Sequence, residues 1–105
     1  MKKGDIVLVT FPFTDLSSFK RRPALVLFTE NDDAILAFIT SKTSFKHPYD
    51  IFLKRSDVNR LENDSVIILR KLFTANISLI KGKTGELDTN YHLHINQSIN
   101  ALLHF

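Results

Sequence analysis

The sequence contains no cysteine and only three glycines. The absence of cysteine excludes a disulfide framework, thiolate metal sites and a cysteine nucleophile, and three glycines form no glycine-rich phosphate-binding loop. No apolar run approaches the roughly 20 residues that cross a bilayer. The charged start over residues 1–5 lacks a following small-residue cleavage site, so it is unlike a signal peptide. We therefore expect a cytoplasmic protein with no membrane partner.

The composition is that of an ordered globular protein. The 105 residues are 44% hydrophobic and 24% charged, which corresponds to one domain with a single core. The net charge of +3 is modestly basic and permits a polyanionic partner without requiring one. The basic residues fall in four clusters: Lys20, Arg21 and Arg22; Lys42 and Lys46; Arg70 and Lys71; Lys81 and Lys83.

Short β-branched and apolar segments separated by turn residues predict five or six strands. Pro12 ends the first strand, and Pro23 stands at the first position of the second. Polar residues follow Phe13 as a turn region up to Arg21, and residues 56–63 form a polar segment with a helical turn. The predicted strands cover residues 5–11, 23–28, 34–40, 50–53, 65–69 and 83–87.

The end of the chain has a different period. Tyr91, Ile95, Ile99 and Leu102 recur at helical spacing, which predicts a terminal helix that Asp88 or Thr89 caps through its side chain. One helical turn is also expected over residues 77–80. The fold class is therefore mainly β with a C-terminal helix, as a strongly bent sheet or a small, partly open barrel in one domain over residues 1–105.

Three predicted strands are apolar on both faces, at residues 6–9, 24–28 and 66–69. One helix cannot cover all of these faces, and a large exposed apolar patch is unusual on a soluble monomer. We therefore expect a second subunit to cover the remainder, although a strand lying under long loops would show the same pattern.

The histidines do not form a metal site. His92 and His94 lie two residues apart on the predicted helix and point in different directions, and His104 stands next to the chain end. His47, in a basic loop, stays open as a ligand contact or an acid–base group. We expect no metal and no cofactor.

Arginine and hydroxyl groups converge at two strand ends. Arg21 and Arg22 precede Pro23 at the start of the second strand, and Thr40 and Ser41 close the third. If these strands are antiparallel neighbours joined by a turn at 30–33, the two ends lie side by side. A guanidinium beside two hydroxyls would form a phosphate cradle. Spacing alone favours the simpler interpretation, an exposed arginine at a strand edge and a threonine with good β-propensity.

These residues belong to a longer pattern that closely resembles the MazF/PemK (Kid-like) toxins, in the PemK-like branch. The Gly-Asp opening in KGDIVLV at 3–9 and the Arg-Pro strand start in RRPALVL at 21–27 are specific in combination, and FPFTD at 11–15 lies between them. Individually weaker blocks follow in order: ITSK at 39–42, DSVIIL at 64–69, LFT at 72–74 and GELD at 85–88. The resemblance spans nearly the whole chain.

The resemblance implies an SH3-like small β-barrel, a homodimer, a cognate antitoxin and cleavage of single-stranded RNA such as mRNA. The catalytic pair of the family maps onto Arg22 and Thr40. Around this pair we expect RNA-binding residues in the flanking loops and strand ends: Phe19, Lys20, Arg21, Ser41, Lys42, Phe45, Lys46 and His47.

Aromatic residues in these loops suit an unpaired strand. Phe19 and Phe45 each lie one residue from a lysine in a polar loop, which favours stacking on bases. Phe13 and Tyr49 are expected to complete the core instead.

With no metal and no nucleophilic side chain at this site, the nucleophile is the ribose 2′-hydroxyl of the substrate. Its attack on the adjacent phosphate gives a cyclic phosphate and a 5′-hydroxyl end. Arg22 would stabilise the charge on the phosphoryl oxygens, and Thr40, with Ser41, would orient the phosphate. The general base is open between His47 and a backbone carbonyl. Many family members carry an acidic residue in the first loop, whereas residues 16–20 here have none and Asp15 is the nearby carboxylate.

Three other interpretations share parts of this pattern. A non-catalytic nucleic-acid-binding barrel would show the same basic loops and aromatics but would not cleave RNA. A gyrase-poisoning toxin shares the barrel and the dimer, lacks the Arg-Pro strand start, and would act in a supercoiling assay. A family member that has lost its activity would bind RNA without cutting it.

Cleavage should be independent of divalent metal. The sequence has no thiolate, no paired histidines at metal spacing and no carboxylate cluster near Arg22 and Thr40. Incubation of the purified protein with a long RNA in excess EDTA should therefore give products with 5′-hydroxyl ends. Loss of cleavage in the chelator, with recovery on addition of magnesium or manganese, would contradict this reaction class.

Overall fold

The computed structural model describes residues 1–12, 19–44 and 47–105, with only the backbone described at residues 11, 12, 19 and 20. Within these ranges the chain forms six strands, a short 3-10 turn before β6, another before the helix, and one C-terminal helix. The strands are β1 Asp5–Pro12, β2 Phe19–Glu30, β3 Asp33–Thr40, β4 Ile51–Leu53, β5 Ser65–Asn76 and β6 Ile80–Glu86; the 3-10 turns are Ile77–Leu79 and Thr89–Tyr91, and α1 is His92–Leu103.

All strand pairs of the described sheet are antiparallel, in the order β4-β5-β3-β2-β1-β6. Register shifts interrupt the β1–β6, β2–β3 and β3–β5 ladders. Such irregularities increase the local twist and bend the strands. The predicted class, mainly β and barrel-like with a C-terminal helix, is confirmed, and the sheet is not closed because β4 and β6 stand at its two ends.

Several predicted boundaries are wrong. β2 begins at Phe19, so the residues up to Arg21 are not all turn and Pro23 lies inside the strand. The ladder with β3 ends at Ala24, next to Pro23, which has no N–H to donate. β5 continues to Asn76 because its second half pairs with β3, and β6 begins already at Ile80. The 56–63 segment forms turns without a helix, whereas the predicted helical turn before β6 is present as Ile77–Leu79.

Both faces of the sheet are buried within one chain. The face that carries Leu25 packs against Ile95 of α1, with Tyr91, Ile99 and Leu102 completing the contact. The opposite face, which carries Val26, forms a second apolar cluster with Phe73 and Ile80 packed against it. We refer to these as the Leu25 face and the Val26 face.

Most of the side chains behind the expectation that the two-faced apolar strands leave surface for a second subunit are covered within the single chain. Those at most 9% exposed are Ile6, Val7, Val9, Ala24, Leu25, Val26, Val66, Ile67, Ile68 and Leu69. Leu8 and Leu27 are half-buried and Phe28 is 47% exposed, so a smaller apolar surface remains than the sequence predicts.

A buried carboxylate attaches the N-terminus to β6. Asp5 is 2% exposed and accepts hydrogen bonds from the backbone N–H and from Nζ of Lys2, both at 2.9 Å; Lys83 Nζ lies 3.3 Å from the carboxylate. Burial alone would raise the pKa of Asp5, but the hydrogen bonds from Lys2 and Lys83 outweigh it, so the pKa lies below its usual value. Gly4 and the start of β1 are thereby held beside Glu86.

The 54–61 segment is organised by the buried side chain of Asn59. Its Oδ1 accepts from the backbone N–H groups of Ser56 and Leu61 at 3.0 and 3.1 Å, and its Nδ2 donates to the Lys54 carbonyl and to Asp88, both at 2.9 Å. Asp88 also accepts from Ser56 Oγ at 2.6 Å. The side chain of Asp88 thus binds this segment and makes no N-cap hydrogen bond. Tyr91 is the N-cap residue of α1 and makes no side-chain cap, so the predicted capping of the helix by Asp88 or Thr89 is wrong.

Gly85 shows how closely β6 lies against this segment. A Cβ at Gly85 would stand 2.1 Å from the Asn59 carbonyl oxygen, far inside van der Waals contact. The Glu86 N–H donates to the Val58 carbonyl at 3.0 Å. Residues 58–61 are consequently fixed relative to the sheet.

Asn59→Ala should destabilise the fold by about 2–4 kcal/mol, because buried donors and acceptors lose their partners together. Urea unfolding should show a lower midpoint with an unchanged slope. Asn100→Ala, at an exposed helix position, is the matched control and should change stability by less than about 0.5 kcal/mol. Equal stability of the two variants would show that the Asn59 hydrogen bonds are not limiting.

Candidate active site

A cleft of about 330 Å³ opens where β2 begins and β3 ends. Arg21, Arg22, Thr40 and Ser41 all line it, so the structure brings together the four residues expected at the phosphate cradle. The rest of the cleft is formed by neighbouring apolar side chains, by the segment before β5 and by β6: Leu8, Pro23, Ile39, residues 60–63, Ser65 and Thr84.

The strand register explains why Arg22 and Thr40 meet. β2 and β3 pair at Leu25↔Ala37 and Ala24↔Phe38, where the ladder ends. The same register continued by two residues would set Arg22 opposite Thr40. Side chains alternate along a strand, so both residues belong to the Val26 face. Arg21, Pro23 and Ile39 belong to the Leu25 face, so the cleft is lined from both faces of the sheet at the point where β2 begins and β3 ends.

Thr40 has an oriented hydroxyl. Its Oγ1 accepts a hydrogen bond from the Lys42 backbone N–H at 3.2 Å, and the residue is half-buried. This local turn is typical of threonine after a strand. Because the oxygen is the acceptor in this contact, its O–H remains available as a donor. A phosphate oxygen in the cleft is a suitable acceptor.

Two of the other predicted RNA-binding residues lie outside the cleft. Lys42 is exposed in the turn after Thr40, and neither it nor His47 lines the cleft. His47 Nδ1 accepts from the Tyr49 backbone N–H at 3.3 Å, and the two rings lie 5.7 Å apart. With Nδ1 engaged and the ring outside the cleft, His47 is poorly placed to act as a base.

Some predictions fall outside the described residues. Phe13, Asp15, Phe45 and Lys46 belong to this group. For Phe19 and Lys20 the structure gives the backbone, which pairs with Pro12 and Phe11 of β1. The stacking role of Phe19 and Phe45 stays a prediction.

The segment at residues 60–63 is the part of the site that the sequence analysis missed. Arg60, Glu62 and Asn63 are exposed and line the same cleft as Arg21. Arg60 has a φ of +55°, in the left-handed region that favours glycine. The signal was indirect: these residues immediately precede β5, and β5 pairs with β3 at Thr40↔Val66.

Neither a metal centre nor a membrane span is found in the described ranges. Among residues 1–12, 19–44 and 47–105, no three histidine, aspartate or glutamate side chains cluster closely enough to hold a metal ion. No helix in these ranges is long and apolar enough to cross a bilayer.

Solved structures of bacterial toxins share this fold. A mycobacterial endoribonuclease in complex with its cognate antitoxin is similar with a TM-score of 0.79 at 14% identity, over 98% of this chain and 94% of that one. The Mycobacterium tuberculosis toxin MazF-mt6 is similar with a TM-score of 0.76 at 19% identity, over 92% and 93%. A further mycobacterial endoribonuclease gives 0.75 at 14% identity, over 98% and 90%.

At these identities the structural similarity shows the fold. Comparison of the sequence with curated proteins gives no match. A family model, described as a PemK-like, MazF-like toxin of type II toxin–antitoxin systems, matches residues 2–103. Because this match covers nearly the whole chain, the protein belongs to the PemK-like, MazF-like toxins of type II toxin–antitoxin systems.

Proposed function

We propose that this toxin is an endoribonuclease that cuts single-stranded RNA at a phosphate bound between Arg22 and Thr40. The observation that carries the proposal is the meeting of these two residues, from different strands, in one open cleft. Two of the similar structures are of endoribonucleases, which supports the same assignment.

The reaction uses the substrate's own nucleophile. The 2′-hydroxyl oxygen attacks the neighbouring phosphorus, the bond to the 5′-oxygen breaks, and the products are a 2′,3′-cyclic phosphate and a 5′-hydroxyl. The hydroxyl loses its proton as it attacks, and the departing oxygen gains one. Negative charge grows on the non-bridging oxygens in between, and stabilisation of that charge is the task left to the protein.

Arg22 and Thr40 have complementary parts in this step. The planar guanidinium of Arg22 can donate two parallel hydrogen bonds to phosphate oxygens. The Thr40 hydroxyl oxygen accepts a hydrogen bond from the Lys42 N–H at 3.2 Å. Its O–H can therefore donate a hydrogen bond to the same phosphate. Donors positioned before the reaction are worth more than mobile ones, because they do not reorganise as charge develops.

Arg22→Ala should lower cleavage by about 100-fold or more, the scale for loss of one transition-state donor. Arg22→Lys should recover only part of the loss, because lysine lacks the planar fork. Single-turnover cleavage of a long RNA measures both. Lys71→Ala, which removes a positive charge at an exposed position of β5, is the control and should stay near wild type.

A second pair of variants distinguishes the contribution of the Thr40 hydroxyl from that of the packing of its side chain. Thr40→Val keeps the shape and loses the donor, whereas Thr40→Ser keeps the donor. We expect Val to lose about 10-fold or more and Ser to stay within a few-fold. Near wild-type cleavage by both Arg22→Ala and Thr40→Val would refute the assigned site.

The partners follow from the same cleft. We propose mRNA or other single-stranded RNA as substrate and a cognate antitoxin protein as inhibitor, as in the similar mycobacterial complex. An acidic, disordered antitoxin segment is a natural competitor for a site built to bind phosphate.

We also propose that the protein is a homodimer, as the resemblance implies. Most of the two-faced strands is covered within one chain, but large apolar side chains remain on the surface, including Phe28 at 47% and Phe52 at 52% exposure. Such side chains are typical of protein interfaces when they are part of a larger patch.

Sedimentation equilibrium at low micromolar concentration should give twice the chain mass. Phe28→Ser should shift the equilibrium toward monomer if the exposed face of β2 belongs to the interface. A folded wild-type monomer at that concentration would contradict the dimer.

A further inference from the structure

The wall of the cleft at residues 60–63 presents polar groups that the phosphate chemistry does not use. Glu62 and Asn63 are exposed and line the cleft. Within the described part of the chain, the side chains of Glu62 and Asn63 make no hydrogen bond or ion pair. These groups are thus available to a ligand.

The backbone that carries them is firmly held. The Arg60 N–H donates to the Ser56 carbonyl at 2.9 Å, and the Leu61 carbonyl accepts from Arg55 Nε at 3.2 Å. The Asn63 carbonyl accepts from Ser65 Oγ at 2.9 Å. Recognition groups on a fixed backbone lose little freedom when they bind, so their hydrogen bonds discriminate well between ligands.

Apolar surface lies beside these groups. Leu8 and Pro23 are half-buried and line the same cleft, as does the buried Ile39. A cleft of about 330 Å³ is in the size range of small-molecule sites, which combine apolar walls with a few placed polar groups. A nucleobase has a flat, apolar face and a polar edge, so its chemistry is complementary to that of this cleft.

Backbone strain marks the same segment. Arg60 holds a φ of +55° although it is not glycine, and such conformations concentrate at ligand sites. Its guanidinium adds a positive charge at the mouth of the cleft, where an RNA backbone would pass.

We propose that the 60–63 wall binds and reads one nucleobase next to the phosphate at Arg22 and Thr40. This inference rests on the proposed function and extends it to substrate selection. An ionised carboxylate only accepts hydrogen bonds, so Glu62 selects a base edge with two adjacent donors. Guanine has this edge at N1–H and N2–H₂, whereas adenine pairs a donor with an acceptor. Asn63 can donate its amide to guanine O6.

The test uses short RNA that cannot be cleaved. Uridine heptamers with 2′-fluoro sugars and a central guanine, adenine or cytosine are titrated by fluorescence anisotropy. Wild type should bind the guanine heptamer about tenfold more tightly than the adenine heptamer, the scale of one bidentate contact. Glu62→Gln should reduce this ratio to within about threefold, and Asn63→Ala should reduce it partly.

Glu30→Gln is the matched control. It removes the same charge from an exposed position at the far end of β2 and should keep the full guanine preference. The melting temperature of each variant establishes that the fold is intact. Three results would overturn the proposal: no guanine preference in wild type, an unchanged preference in Glu62→Gln, or equally tighter binding of all heptamers by Glu62→Gln, which would mean charge repulsion only.

Cleavage of a long RNA separates this inference from the proposed activity. A guanine preference in the heptamers without cleavage by wild type would leave the base site standing and refute the nuclease. Cleavage with no preference for any base at the central position would support the nuclease and refute the base site.

Discussion

The buried amide of Asn59 is the interaction on which most of the site depends. Its hydrogen bonds join the turn at Ser56, the chain entering Leu61 and the carboxylate of Asp88 before the helix. A buried amide with all its partners present is stable, and one that loses them is costly. The segment that forms one wall of the cleft is therefore fixed by a side chain that does not itself line the cleft.

The proposed active-site pair, Arg22 and Thr40, depends on a more local arrangement. β2 and β3 are joined by a tight turn in which Asn31 adopts a φ of +49°, and the register of this hairpin ends two residues before Arg22 and Thr40, which both line the cleft. This adjacency could be predicted from the sequence, because it follows from two strands, a short turn and the alternation of side chains. The 60–63 wall could not, since its position follows from the long-range pairing of β5 with β3.

The same distinction holds for the fold. β1, β3 and β4 could be placed within one residue because apolar, β-branched runs end there at turn residues. β2 and β5 extend beyond their apolar runs into charged stretches, at residues 19–22 and from Arg70 onward. Ladder partners on neighbouring strands, which composition does not reveal, determine those boundaries. The period of the apolar residues predicts the terminal helix. The hydrogen bonds that Asp88 accepts from Ser56 and Asn59 could not be predicted, because these partners lie about 30 residues away in the sequence.

The open sheet has a consequence for behaviour at high concentration. In the described chain its two terminal strands, β4 and β6, each have one side without a strand partner, and free strand edges promote aggregation. β4 has only three residues, and β6 carries Lys81 and Lys83 around Gly82, whose φ is +146°. A short edge and a charged, irregular one are poor templates for further strands. The molecule can thus keep its sheet open and still resist fibre-like self-assembly when it accumulates.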